Sequence, residues 1–249
     1  MKKTTIFRQL ISNILLPVVI ALVILGVLNY YNTKKILTEA SNTKNIIIVD
    51  EIIKILKIQD VSLRIIEEEL DVRMKFLSQA FIEKYKDRTE NIEHKDFSKI
   101  QAEIGMIPYA EDIYLINRNG TIVKSTFEED INLNLFEFGP DHEKFLRKVF
   151  NSEKYYSERL TIEANTRRLK KYSYQSTPDK KYVVEIGCYS QKADDILNYI
   201  NKLIKEISQQ HAGIVSVDLF IGADNPFSLS QDAVLKESHK EKLMKLFNN

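Results

Sequence analysis

The stretch Asp112-Ile-Tyr-Leu-Ile-Asn-Arg-Asn-Gly-Thr-Ile-Val-Lys-Ser-Thr126 decides the fold. Its two apolar runs are rich in Ile, Val and Tyr and flank Asn119-Gly120, so it reads as strand, tight turn, strand. Asn-Gly in that setting predicts a two-residue turn with both residues at positive φ, because that twist suits the flanking strands. Working outward, the spacing predicts a helix over Asp141 to Phe150, with Asp141 as its cap after Pro140. Strands follow at Tyr156 to Glu163, Arg167 to Ser176 and Lys181 to Tyr189, the last two joined by a turn at Pro178-Asp179. A helix from Gln191 to Gln210, a strand from Ile214 to Ile221, a turn at Asn225-Pro226 and a helix from Ala233 to Phe247 complete the C-terminal part. Upstream, Phe97, Ile100, Ile104 and Ile107 give a short helix closed by Gly105 and Pro108. Helix, two strands, helix and three strands make an α+β fold, an antiparallel sheet flanked by helices.

At the other end, Ile14 to Leu28 carries no polar side chain, and Leu10, Ile11, Tyr30 and Tyr31 extend it to membrane-spanning length. Lys2, Lys3 and Arg8 precede it without an acidic residue, which keeps the N-terminus in the cytoplasm; Lys34 and Lys35 pull weakly the other way. Gly26-Val-Leu-Asn-Tyr-Tyr31 contains no small-x-small cleavage site, which favours an uncleaved anchor over a signal peptide. Residues 34 to 86 lack Pro and Gly and predict one long helix. Val49, Ile52, Leu56, Leu63, Ile66, Leu70, Leu77 and Ala80 form a seam along it, interrupted by Gln59 and Arg73. That seam either pairs with a second copy as a coiled coil or packs on its own domain. The organisation expected is therefore a cytoplasmic N-terminus (1–9), a transmembrane helix (10–31), a long helix for signalling and dimerisation (32–86), a domain (87–190) and a C-terminal segment (191–249).

Composition removes several function classes. Lys and Arg number 36 against 35 Asp and Glu, so no excess of positive charge is available to hold nucleic acid. One cysteine excludes an internal disulfide framework and a thiolate metal cluster. No phosphate-binding loop, dinucleotide fingerprint, metalloprotease helix or nucleophile elbow occurs. His94, His142, His211 and His239 are scattered without ligand spacing, and Cys188 reads as a buried inert thiol. The chain is expected to be no enzyme and to need no cofactor and no metal.

The hairpin from Ile113 to Thr126 resembles the first hairpin of bacterial Cache domains, the extracytoplasmic PAS-like sensor modules of receptors. Lys171-Tyr-Ser-Tyr-Gln-Ser-Thr-Pro-Asp-Lys-Lys-Tyr-Val-Val-Glu-Ile-Gly187 is similar to their closing hairpin, and the long helix leaving the membrane matches their plan. The resemblance covers roughly residues 34 to 190 and lies in pattern and order. It implies a sensor anchored in the bacterial inner membrane, with everything after residue 31 extracytoplasmic. Val215 to Ser230 resembles the opening of a second, membrane-proximal module of the double-Cache type, which suggests a sensor portion of a longer receptor or a lone sensor working through a partner.

Alternation along Arg167 to Tyr174 puts Arg168, Lys170, Tyr172 and Tyr174 on one face and Leu169, Lys171 and Ser173 on the other. With Tyr114 on the first strand, the former set are the candidate ligand-binding residues: if inward, their cations and hydroxyls suit an anionic ligand such as a carboxylate. The opposing reading is a solvated outer face. The amino-acid-binding subgroup of the family uses a Tyr/Arg/Trp pattern, and the chain has no Trp, which points away from amino-acid sensing. Two functions follow: a homodimeric sensor that converts ligand occupancy into helix movement, or a structural dimerisation protein whose PAS-like domain holds no ligand.

Overall fold

The computed structural model describes residues 11–86, 92–163, 166, 168–211, 214, 217–221 and 227–228. Lys2, Lys3, Arg8, Arg167, the Asn225-Pro226 turn and the helix expected over Ala233 to Phe247 lie outside the described residues. Residues 1–55 and 56–249 form two compact units.

In the first unit, a short π-helical turn at Ile11–Leu15 leads into helix α1, Leu16–Lys86, which continues into the second unit. The apolar segment and the long helix that follows it are one continuous element. Val18 to Leu28 expose their apolar side chains, as a lipid-facing helix must. Among the described residues, α1 alone is long and apolar enough to cross a membrane.

The second unit holds the α+β domain. Helix α2 (Phe97–Glu103) is capped by Asp96, whose carboxylate accepts from Lys99 N–H. Strands β1 (Glu111–Asn117) and β2 (Ile122–Ser125) form the expected hairpin. Helix α3 (Pro140–Phe150) follows, then the two-residue strands β3 (Tyr156–Ser157) and β4 (Thr161–Ile162). Strands β5 (Leu169–Ser176) and β6 (Tyr182–Tyr189) and helix α4 (Gln191–Gln210) complete it. The sheet is antiparallel in the order β2-β1-β6-β5-β3, with β4 also on β5. A small ladder, β7 (Phe220–Ile221) with β8 (Phe227–Ser228), is what the described residues show of the strand expected at Ile214 to Ile221.

Alternation along the central strands divides the core between two faces. Ile113 and Leu115 of β1 and Val184, Ile186 and Cys188 of β6 join Met74, Leu77, Phe81 and Tyr85 of α1 in one cluster. Tyr114, Ile116, Val183 and Tyr174 face the other way and join Leu146, Val149 and Phe150 of α3. Arg73, which breaks the apolar seam, supplies the polar clamp on the first face: its guanidinium donates twice to Glu111 (2.9 Å each) and once to the Gly105 carbonyl (2.6 Å). The seam itself divides. Ile66 and Leu77 are buried and Leu70 and Ala80 partly buried against the domain, whereas Val49 is exposed. Own-domain packing therefore takes the C-terminal half of that seam.

Three local expectations are corrected. The long edge strand Tyr156 to Glu163 is broken into β3 and β4, because Arg159 and Leu160 turn toward α1: Leu160 N–H donates to Glu67 (2.8 Å), as does Arg159. Helix α3 is capped by Gly139 with Pro140 in its first turn, so Asp141 lies inside the helix, where it faces the positive end of the dipole. The β1–β2 turn is a three-residue loop in which only Gly120 has positive φ (80°). Asn117 organises it: its Oδ1 accepts from the N–H groups of Asn119 (3.0 Å) and Thr121 (3.1 Å), and its carbonyl accepts from Gly120 N–H (2.9 Å). A left-handed glycine after a type I turn is the standard three-residue solution.

A Cβ on Gly120 would lie 2.5 Å from the Phe136 ring, whereas one on Gly105 (φ 73°) would meet nothing within 4 Å. Gly105→Ala should therefore cost only the left-handed penalty of about 1–2 kcal/mol. Gly120→Ala should cost that plus the displacement of Phe136, and so melt lower in thermal denaturation of the full chain. Equal midpoints would show that Phe136 yields freely.

Candidate functional site

Tyr114 on β1, Tyr172 and Tyr174 on β5 and Glu185 on β6 share the sheet face that α3 only partly covers. Pro140 starts α3 beyond Leu135 and Phe138, and the loop beneath leaves a cavity of about 330 Å³. Its walls include those four side chains, with His142 of α3 above and Asp130, Glu158 and Glu163 around the rim. This volume falls within the range for small-molecule sites, roughly 300–1,000 Å³.

The candidate residues separate into three groups. Tyr114, Tyr172 and Tyr174 line the cavity. Burial raises all three phenols well above their ordinary range, so they remain neutral hydrogen-bonding groups. Tyr174 donates to Glu158 (3.0 Å).

Lys170 is on the same strand face but is completely enclosed, 1% exposed. Its ammonium donates to Asp112 Oδ2 (2.8 Å) and to Tyr114 Oη (2.7 Å). The rings of Tyr189 (4.4 Å), Phe127 (4.9 Å), Tyr114 (5.2 Å) and Tyr172 (5.7 Å) surround it. That arrangement is an aromatic cage holding an internal cation. Gly187 makes it possible, since a Cβ there would come within 2.7 Å of Lys170 Cε.

Arg168 departs from the cavity. It precedes β5, reaches Asp194 in the first turn of α4 (2.9 Å) and lies 4.4 Å over the Tyr189 ring. Lys171, on the opposite face, pairs with Asp71 of α1 (3.2 Å). The face is thus covered rather than solvated. Both cations meant for an anion are already paired, so an anionic ligand has no free cation to meet on these two residues.

What sequence reading missed is Glu185. It is 5% exposed, lines the cavity, and its Oε2 has no hydrogen-bond partner. Burial, with Glu158 and Asp130 adding to it and Lys170 opposing, pushes its carboxyl up to about 8. His142 Nε2 is likewise buried without a partner, among the rings of Phe138, Phe145 and Tyr174. A signal for Glu185 was present: an acidic residue inside Tyr-Val-Val-Glu-Ile-Gly-Cys-Tyr, a run otherwise fit for a buried strand. Cys188, as expected, is a buried free thiol, and burial raises its pKa. No group of three or more potential metal ligands occurs among the described residues.

No protein-family model matches the chain. No curated protein matches it in sequence. Solved structures that match include the Bacillus subtilis YkuI protein, with an EAL domain, in complex with its substrate c-di-GMP and calcium. The identity is 15% over 51% of this chain, with a TM-score of 0.37, and the match spans 36% of the length of that structure. They also include the ligand-binding domain of the Campylobacter jejuni chemoreceptor Tlp3 in complex with 4-methylisoleucine. There the identity is 9% over 73% of this chain and 72% of that one, with a TM-score of 0.34. Likeness at these scores assigns no function to this chain.

The Lys170–Asp112 pair is testable by a double exchange. Lys170→Met leaves Asp112 buried without its cation and should cost about 3–5 kcal/mol in thermal or chemical denaturation of the full chain in detergent. Adding Asp112→Asn should recover much of that loss, because neither remaining group is charged. A Lys170→Met protein as stable as the parent would show that the two do not form a buried pair.

Proposed function

We propose that the chain is a membrane-anchored extracytoplasmic sensor of the Cache kind. It binds a small molecule in the cavity between the sheet and α3 and passes occupancy on through α1 to an output domain or partner protein. The observation that carries this reading is the cavity with two buried polar atoms, Glu185 Oε2 and His142 Nε2, left without partners. Such atoms cost stability in an empty site, about 1–3 kcal/mol each, and a ligand supplying their hydrogen bonds would recover it. The Lys170 cage favours a second reading, a structural domain filled by its own side chains, for which nothing enters the cavity. Thermal denaturation of the full chain against a collection of small polar metabolites separates the two. The sensor reading expects a midpoint that climbs with compound concentration and a response abolished by Tyr172→Ala. A midpoint indifferent to every compound would favour the structural domain.

The dimer and its location in this proposal rest on α1. Ile58, Val61, Ile65, Val72 and Phe76 are all exposed and recur at helical spacing on the side of α1 away from the sheet cluster. This stripe is displaced around the helix from the seam expected in sequence. It is apolar enough to pair with a second copy anchored in parallel in the same membrane. Cysteine is otherwise limited to buried Cys188, so added cysteines can be read cleanly. In intact cells, Val61→Cys and Val72→Cys should react with a membrane-impermeant maleimide and, on mild oxidation, link two chains. Lys84→Cys, on the side that pairs with Glu103 of the same chain, should label without linking. Labelling only after lysis would place the domain in the cytoplasm, and equal linking at all three positions would remove the stripe as the interface.

A further inference from the structure

The described carboxylates and cations around the cavity are unevenly distributed. Among the described residues its lining carries four carboxylates, those of Asp130, Glu158, Glu163 and Glu185, and no Lys or Arg. Lys170, on the same sheet face, is held by Asp112 and Tyr114. The Glu158 carboxylate accepts from Tyr174 (3.0 Å), and that of Glu163 accepts from Tyr189 (3.1 Å) and from Thr166. Glu185 Oε2 accepts from nothing, although it is buried and forms part of the wall. Tyr114, Tyr172, Tyr174 and Phe138 give the same wall aromatic faces, which attract positive charge.

We infer, building on the sensor reading, that the cavity takes a small organic cation whose nitrogen donates a hydrogen bond to Glu185. The nitrogen must carry N–H groups, because a lone carboxylate oxygen is matched by a donor. A ligand bearing a free carboxylate is disfavoured, since the rim acids would repel it and the lining holds no Lys or Arg among the described residues to offset that.

Binding in this form is linked to a proton. In the empty cavity Glu185 keeps its proton up to about pH 8. When the cation enters, the O–H bond of the carboxyl breaks, the proton leaves to solvent, and the carboxylate accepts from the ligand N–H. The charge of the ligand replaces that of the lost proton. Affinity therefore rises with pH while the free site is protonated, by about tenfold per unit, and levels off above the free-site value of about 8. Lys170 and the Tyr174 hydroxyl on β5 oppose the high value of Glu185; Asp130 after β2 and Glu158 after β3 reinforce that value. Tyr172, Tyr174 and, on β1, Tyr114 remain neutral. His142 on α3 also lines the cavity and needs its own control.

The test uses the full chain in detergent micelles with 1,4-diaminobutane, which stays protonated over the range, from pH 6 to 9. The expected result is a concentration-dependent rise in melting midpoint, an affinity that climbs about tenfold per pH unit to pH 8, and release of one proton by calorimetry in buffers of different ionisation enthalpy. Glu185→Gln should remove the pH slope and weaken binding at pH 8 at least tenfold, while His142→Gln should retain the slope. The proton count comes from the unmodified protein and holds the inference open to refutation even where Glu185→Gln folds poorly. Tetramethylammonium, which has no N–H, should bind at least tenfold more weakly than the diamine; equal binding would overturn the hydrogen bond to Glu185. Binding of succinate in place of the diamine, abolished by Tyr172→Ala, would overturn the cation and leave the sensor reading standing. A cavity that takes neither of these nor any member of the metabolite collection would overturn both.

Discussion

The Lys170–Asp112 pair governs what the rest of the domain can do. Lys170 lies on β5 and Asp112 on β1, with β6 between them, so the contact closes the three central strands of the sheet from one face. A buried ion pair does not stabilise a fold merely by existing, because each charge loses its hydration. Here the losses are offset by several features at once. Tyr114 accepts from the ammonium, Thr126 donates to Asp112 (3.3 Å), four rings surround the cation, and Gly187 leaves room for the lysine stem. The arrangement also fixes the charge of its surroundings. With its own cation neutralised, the neighbouring cavity is left with the carboxylates of its rim and an unpartnered Glu185.

Local order was legible in the sequence where one segment determines its own conformation. Gln191 to Gln210 is helical over the whole expected range, because Ser190 caps it and its apolar residues repeat at helical spacing. The alternation of Lys170, Tyr172 and Tyr174 against Lys171 and Ser173 also holds, since a strand has no other way to distribute its side chains. What failed depends on partners distant in sequence. The break between β3 and β4 comes from Glu67, more than ninety residues upstream of Arg159 and Leu160. The fate of Arg168 depends on Asp194 and Tyr189, and that of Lys170 on Asp112, so basic residues that looked available for a ligand are engaged within the chain. The Asn-Gly turn failed for a subtler reason: Asn117, two residues earlier, supplies the side-chain acceptor that moves the loop by one position.

Helix α1 has two apolar faces. One, through Met74, Leu77 and Phe81, belongs to the core under the sheet; the other, through Val61, Ile65 and Val72, is exposed. A single-sequence reading of periodicity sees one seam and must assign it one fate. Two stripes on one helix blur the amphipathic signal, since apolar residues then appear on opposite sides. The polar interruption at Arg73 marks where the helix meets Glu111 at the start of β1.

The two faces of the sheet give the proposed sensor a physical route from cavity to helix. On β6, Glu185 looks into the cavity, while Val184 and Ile186, its immediate neighbours, pack in the same cluster as Met74 and Leu77 of α1. On β1, Tyr114 lines the cavity and Ile113 and Leu115 meet α1 in the same way. A ligand that draws Glu185 or Tyr114 toward itself therefore acts on backbone whose other side chains bear on the helix. Close packing leaves little slack to absorb such a shift. Yet proximity alone moves nothing: the helix responds only to the difference in affinity that the ligand has for two arrangements of these strands. Glu185 is suited to create that difference, because its protonated and ionised forms place opposite demands on the same buried space. In the proposed sensor, the empty state would favour a neutral carboxyl among aromatic rings, and the occupied state a carboxylate held against a cation. The sheet that accommodates the first need not be the one that best accommodates the second.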